Sequence, residues 1–154
     1  MTIYQKIILF AATGGFVGKI PFASGTFGTL AGIPFVLFLL LIPQVFYGLY
    51  LISLILFAIY IADQAEKIIK VKDPGCIVID EIAGYAVTMS LVPIQFSTLV
   101  AGFFIFRFFD ILKPGPAKYF EDNFPGGAAV VLDDIMAGIL SALVLWIICL
   151  SGLI

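Results

Sequence analysis

Hydrophobic and polar positions along this chain fall in long blocks and do not alternate. Stretches free of Asp, Glu, Lys and Arg run at about 29 to 42, 45 to 62, 82 to 92, 94 to 106 and 135 to 154. Blocks of this kind read as membrane helices, although an upright helix needs about 20 apolar residues to cross a bilayer of about 30 Å. The third and fourth blocks reach that length only by taking in flanking residues. The pattern therefore predicts an all-α, polytopic membrane helix bundle of about five transmembrane helices, with local thinning or charged helix ends sunk below the headgroups. Pro43-Gln44 and the Pro93 to Ser97 stretch are short breaks that make antiparallel helical hairpins. The stretch from Thr2 to Gly18 carries one lysine, is interrupted by Gly14-Gly15 and has no small-x-small cleavage site. It reads as an N-terminal interfacial helix and not as a removed signal peptide.

Composition supports the membrane reading. The 154 residues are 62% hydrophobic and 12% charged, against roughly 45 to 50% and about 25% in soluble proteins. One membrane-embedded domain over residues 1 to 154 accounts for the length. Lys6 and Lys19 precede the first block, Asp63 to Asp80 lie between the second and third, and Arg107 to Asp134 lie between the fourth and fifth. With five spans every charged residue falls on one face, and the eight Lys and Arg residues make that face cytoplasmic. A net charge of -2 points to no nucleic acid partner. Cys76 and Cys149 read as reduced.

Chemistry enters with two doublets, Asp80-Glu81 in VIDEIAGYAV and Asp133-Asp134 in VLDDIMAGIL, each placed at the start of a membrane helix. Helix capping explains one carboxylate, worth about 1 kcal/mol or less. A second beside it adds repulsion and lost solvation, which a divalent cation between the pairs would relieve. In FRFFDILKPGP, Arg107, Asp110 and Lys113 follow one helical face at i, i+3, i+6, and an arginine inside an aromatic membrane run is a functional suspect. The alternative there is a snorkelling Arg and Lys before a helix-stopping Pro114.

The loop KIPFASGTFGTLAG, Lys19 to Gly32, leads into the first span and offers Gly25, Gly28, Ser24, Thr26 and Thr29 at a helix start, either as an anion site or, for Gly28 and Gly32, as a close helix contact. Pro125 to Gly127 reads as a turn. Asp63/Lys67 and Glu66/Lys70 read as a solvated helical face. Clustered carboxylates, two cations and a glycine-hydroxyl segment on one surface point to Mg2+ and a phosphorylated ligand. The sequence contains no histidine, which excludes a histidine phosphoenzyme or base, and Ile82 stands where a Cys-x5-Arg nucleophile loop starting at Cys76 would need arginine. A carboxylate base or metal-activated water remains.

GKIPFASGTFGTLAG, DPGCIVIDEIAGYAVTM, FRFFDILKPGP and FPGGAAVVLDDIMAGI, in this order and spacing, resemble the phosphatidylglycerophosphatase A family of bacterial membrane lipid phosphatases. The resemblance implies Mg2+-dependent removal of the terminal phosphate from phosphatidylglycerophosphate, giving phosphatidylglycerol, at the inner face of the bacterial cytoplasmic membrane. By position it carries the family's acid pair to Asp80 and Glu81, its FD-x-x-KP element to Phe109, Asp110, Lys113 and Pro114, and its PGG and DD to Pro125–Gly127 and Asp133-Asp134. The family's glycine-threonine segment falls on Gly25 to Thr29. The chain departs from the pattern around the PGG turn, where Asp122 to Phe124 and Ala128-Ala129 replace an expected basic residue and tryptophan.

In this reading Asp80, Glu81, Asp133 and Asp134 hold Mg2+, and Asp110 is a further ligand or the base. Ser24, Gly25, Thr26, Arg107 and Lys113 bind the phosphate of a phospholipid in the bilayer, and Asp80, Asp110, Lys113 and Asp134 carry the chemistry. An aspartyl-phosphate on Asp110 or Asp80 is the competing route. A divalent-cation transporter or a non-catalytic membrane subunit is the alternative function.

Overall fold

The computed structural model describes residues 1–115, 119 and 123–154. Among these the chain is all helical, without strands. The α-helices are α1 (Ile3–Ala12), α2 (Ser24–Ala31), α3 (Ile33–Phe38), α4 (Tyr47–Ile69), α5 (Ile79–Thr88), α6 (Phe96–Leu112) and α7 (Gly127–Leu150). Single 3-10 turns extend α3 over Leu39–Leu41 and α5 over Met89–Leu91.

Proline and glycine set these boundaries. Gly32 and Pro34 separate α2 from α3, since proline cannot donate back into the preceding turn. Lys113 closes α6 in a left-handed conformation, φ 42°, immediately before Pro114. Helix α1 opens with a reciprocal cap, Thr2 accepting from Gln5 and Gln5 accepting from Thr2. It ends at Gly14 and Gly15, both at positive φ.

Three described stretches are long and apolar enough to cross a membrane: Ser24–Leu41, Gln44–Ile69 and Gly127–Leu150. The other two expected spans are shorter helices. Helix α5 has 10 residues, about 15 Å at 1.5 Å per residue, half of a bilayer core. Helix α6 has 17 residues. Helix α1, at 10 residues, also falls short of a span and packs on α4, with the Tyr4 hydroxyl 3.0 Å from that of Tyr60.

Helix α5 can be this short because it is enclosed. It packs chiefly on α7 and also touches α2, α3, α4 and α6. All but one of its residues, Glu81, are buried. A helix buried on every side needs neighbours that approach closely, and glycine supplies that approach on three partners. A Cβ on Gly138 of α7 would collide with the Gly84 carbonyl of α5. A Cβ on Gly84 would lie 2.8 Å from the Asp134 carbonyl and 2.7 Å from the Phe106 ring. Gly28 and Gly32 of α2 face Val78 and Tyr85 in the same way. The small-residue contact is thus the role of both glycines, and Ala-Gly after each acid doublet is where α5 and α7 cross. Polar side chains inside this core satisfy themselves locally: Thr88 donates to the Gly84 carbonyl at 3.0 Å and Ser141 to Ala137 at 2.7 Å.

A buried acidic cavity as the candidate active site

Five segments reach one end of the bundle and enclose a polar cavity of about 180 Å3. They are the start of α2, the turn after α4, the start of α5, the end of α6 and the third turn of α7. Ser24, Asp73, Asp80, Glu81, Asp110, Lys113, Asp133 and Asp134 contribute its polar lining.

The doublets reach this cavity by different routes. Asp80 and Glu81 occupy the first turn of α5, as a helix start requires. Asp133 and Asp134 do not start a helix. Helix α7 begins at Gly127, so these acids lie about 9 to 10 Å along it. The extra two turns run over α4, where Gly127 lies against the backbone of Ile59 and Asp63. Capping therefore cannot account for Asp133 and Asp134. Within each pair the first carboxylate accepts from the amide of the second, at 3.0 Å for Asp80 and Glu81 and 2.9 Å for Asp133 and Asp134.

Burial makes the cluster costly. Asp80, Asp133 and Asp134 are 7%, 3% and 4% exposed. Lys113 pairs with Asp133 at 2.7 Å, and Arg107 pairs with Asp110 one helical turn on. Lys113 and Arg107 are thus each engaged by a carboxylate, and Asp110 and Asp133 line the same cavity as the other acids. Oxygens of Asp80, Glu81 and Asp134 lie within 4.8 Å of one another. Glu81 Oε2 and Asp134 Oδ2 are buried and have no hydrogen-bond partner among the described residues. Buried carboxylate oxygens left unpaired call for a cation.

The donor set fits one. Hard divalent ions take oxygen ligands at about 2.0 to 2.6 Å, so ligands across one ion stand roughly 4 to 5 Å apart. The trio spans that distance. Asp110 and Asp133, also expected as ligands, line the same cavity and pair with Arg107 and Lys113.

The glycine-threonine segment is helix, not loop. Ser24 lines the cavity, but Thr26 is half-buried outside the lining. Thr29 is fully buried and donates to the Gly25 carbonyl at 2.8 Å. Gly25 is present for closeness: a Cβ there would stand 2.5 Å from Glu81 Oε1 and 2.8 Å from an Arg107 nitrogen. Arg107 consequently sits between α2 and α6, behind the cavity wall.

Asp73 is a lining residue that helix periodicity does not find. It holds φ 45°, and its amide donates to Glu66 at 2.6 Å. That contact replaces the expected Glu66/Lys70 pairing, while Lys67 does pair with Asp63 at 2.5 Å. The signal for Asp73 was the turn sequence Asp73-Pro74-Gly75. Cys76 and Cys149 are free thiols. Pro116 and Asp122, in the motif and the departure noted above, lie outside the described residues.

Comparison with known proteins assigns this arrangement to a family. The family model for phosphatidylglycerophosphatase A matches residues 10–149. The phosphatidylglycerophosphatase A of Escherichia coli (strain K12) is 38% identical over 138 residues, covering 89% of this chain and 80% of that protein. The Haemophilus influenzae protein of the same name is 34% identical over 139 residues, 89% of this chain and 85% of the relative. A Bacteroides thetaiotaomicron protein named "Putative phosphatidylinositol-3-phosphatase" is 34% identical over 148 residues, 88% of this chain and 92% of that one. No solved structure matches. A membrane-helix chain whose acid doublets meet in one buried cavity, and whose length is matched almost throughout by these relatives, belongs to the phosphatidylglycerophosphatase A family of phosphatases.

Proposed function

We propose that the protein hydrolyses the terminal phosphomonoester of phosphatidylglycerophosphate, releasing inorganic phosphate and phosphatidylglycerol, with Mg2+ as cofactor. The observation that carries this reading is the buried trio Asp80, Glu81 and Asp134, with unpartnered oxygens on two of its members. Mg2+ is preferred because it is commonly held by few carboxylates together with substrate phosphates. Bound there, it would supply charge neutralisation at the phosphate oxygens, worth several kcal/mol in the transition state.

The chain's own residues do the rest. Lys113, fixed by Asp133 at the cavity wall, meets a second phosphate oxygen. Asp110, oriented by Arg107, accepts a proton from the attacking water. The water oxygen stays on phosphorus, the bond from phosphorus to the glycerol oxygen breaks, and that oxygen leaves with a proton. Ser24, at the start of α2, borders the same space, where helix N-H groups favour an anion. Asp73 borders the same space. The site lies on the cytoplasmic face of a bacterial inner membrane, and the lipid stays in the bilayer while its headgroup reaches the cavity.

The name of the Bacteroides relative favours a second headgroup, a phosphorylated inositol lipid, on the same chemistry. Purified protein in detergent, offered each lipid with and without Mg2+, separates the two. We expect phosphate release from phosphatidylglycerophosphate that requires Mg2+ and falls at least about 100-fold in Asp80→Asn and Asp134→Asn, the loss of several kcal/mol. Release that persists unchanged in both variants removes these residues from the mechanism.

A further inference from the structure

The acidic cavity is not the only concavity that α2 and α6 build. Deeper in the bundle the end of α2 and the start of α3 part from α6 around an apolar groove of about 310 Å3. Leu30 and Ile33 form one wall, Leu99, Val100 and Phe103 the other, and Tyr85 the back. It has no free polar side chain. The Tyr85 hydroxyl, the one polar group in the lining, already donates to the Leu99 carbonyl at 2.8 Å. A groove without hydrogen-bonding capacity takes hydrocarbon.

The groove follows the cavity in depth along three helices. Leu30 lies six residues beyond Ser24 on α2, about 9 Å along a helix, and Phe103 lies seven residues before Asp110 on α6, about 10 Å. Tyr85 lies one turn beyond Glu81 on α5. Gly25 packs closely against Arg107 and Glu81, on the same three helices. The polar end of each helix therefore belongs to the site and its apolar continuation to the groove, in the order headgroup then tail. Val100 and Leu30 are exposed at the rim, so the groove opens sideways from the bundle.

From this succession we infer that the groove between α2 and α6 binds one acyl chain of the lipid whose phosphate occupies the acidic cavity, and that substrate reaches the site sideways from the bilayer through this gap. The inference rests on the lipid phosphatase reading given above. It makes Leu30, Val100 and their neighbours determinants of chain recognition with no part in hydrolysis.

The test uses full-length protein in mixed micelles with two substrates, long-chain phosphatidylglycerophosphate and its deacylated, water-soluble headgroup. Leu30→Trp and Val100→Trp fill the groove. For the long-chain lipid KM rises about tenfold or more with kcat nearly unchanged, while the deacylated substrate is hydrolysed as before. Equal losses on both substrates, or no change on either, overturn the inference. In parallel, a substrate carrying a diazirine in mid-chain labels residues 96 to 104 and 30 to 33, and excess unlabelled substrate prevents it. Labelling spread evenly onto the exposed Leu56 face of α4 overturns it independently of folding effects in the variants. Absence of phosphate release from either substrate by the unaltered protein is a different result. It would remove the phosphatase reading, while the labelling pattern still reports on the groove.

Discussion

Asp134 shows what burial asks of one side chain. It is almost wholly enclosed, one of its oxygens has no partner, and Asp80 and Glu81 stand within reach. Without a cation it gathers negative charge where solvent cannot screen it. Replacing it by Asn removes one such charge while keeping the shape. Asp134→Asn should therefore raise the melting temperature of metal-free protein in detergent by a few degrees, about 1 kcal/mol. The same variant should lose most of the stabilisation that Mg2+ gives the unaltered protein, which reaches about 2.7 kcal/mol at a hundredfold excess over Kd. Thermal unfolding with and without Mg2+ checks both, and a variant that Mg2+ stabilises as fully as before would exclude Asp134 as a ligand. The sequence marked this residue through its doublet. It could not separate Asp134 from Asp133, because the division of labour depends on Lys113, which folds back from the end of α6 to neutralise Asp133.

At the scale of elements, the contact between α5 and α7 sets the distance between the doublets. Gly138 packs against the Gly84 carbonyl closely enough that any Cβ must push the helices apart. Gly138→Ala should destabilise the protein by about 1 to 3 kcal/mol, and Gly138→Leu should also reduce activity by widening the trio. Unfolding midpoints and phosphate release on the same preparations measure the two effects, and a Gly138→Leu protein of unchanged stability would contradict the crossing. The Ala-Gly repeat after each acid pair made this contact legible in sequence. The start of α7 was not legible. Apolar periodicity begins the helix near Ile135, whereas Gly127 to Leu132 extend it because α4 lies alongside and buries them. The glycine-threonine segment was legible only as two alternatives. Its glycines read either as an anion site or as a close helix contact, and the structure uses Gly28 for the contact, against Val78 at the start of α5.

For the whole molecule, the hairpin of α5 and α6 begins at Asp80 and ends at Lys113, and both line one cavity. The two charged ends of that hairpin consequently lie at one end of the bundle whether the hairpin crosses the bilayer or dips into it. A protein with Cys76 and Cys149 replaced by serine and a single cysteine at Lys72 should react with an impermeant maleimide only in inverted membrane vesicles. One at Ser151 should react only from outside the cell. The reverse pattern would place the site on the outer face. By itself the sequence determined the membrane class, the helical blocks, the family and the identity of the acids, because hydrophobic length and motif spelling are local properties. Only the tertiary structure decided how many blocks are long enough to span, that both doublets and Asp110 line one cavity, which of these acids pair with cations, and that Asp73 joins them. Those outcomes depend on helix depth and close approach, which are fixed by partners distant in the chain. The opening between α2 and α6 belongs to the same category, since neither helix alone has a groove.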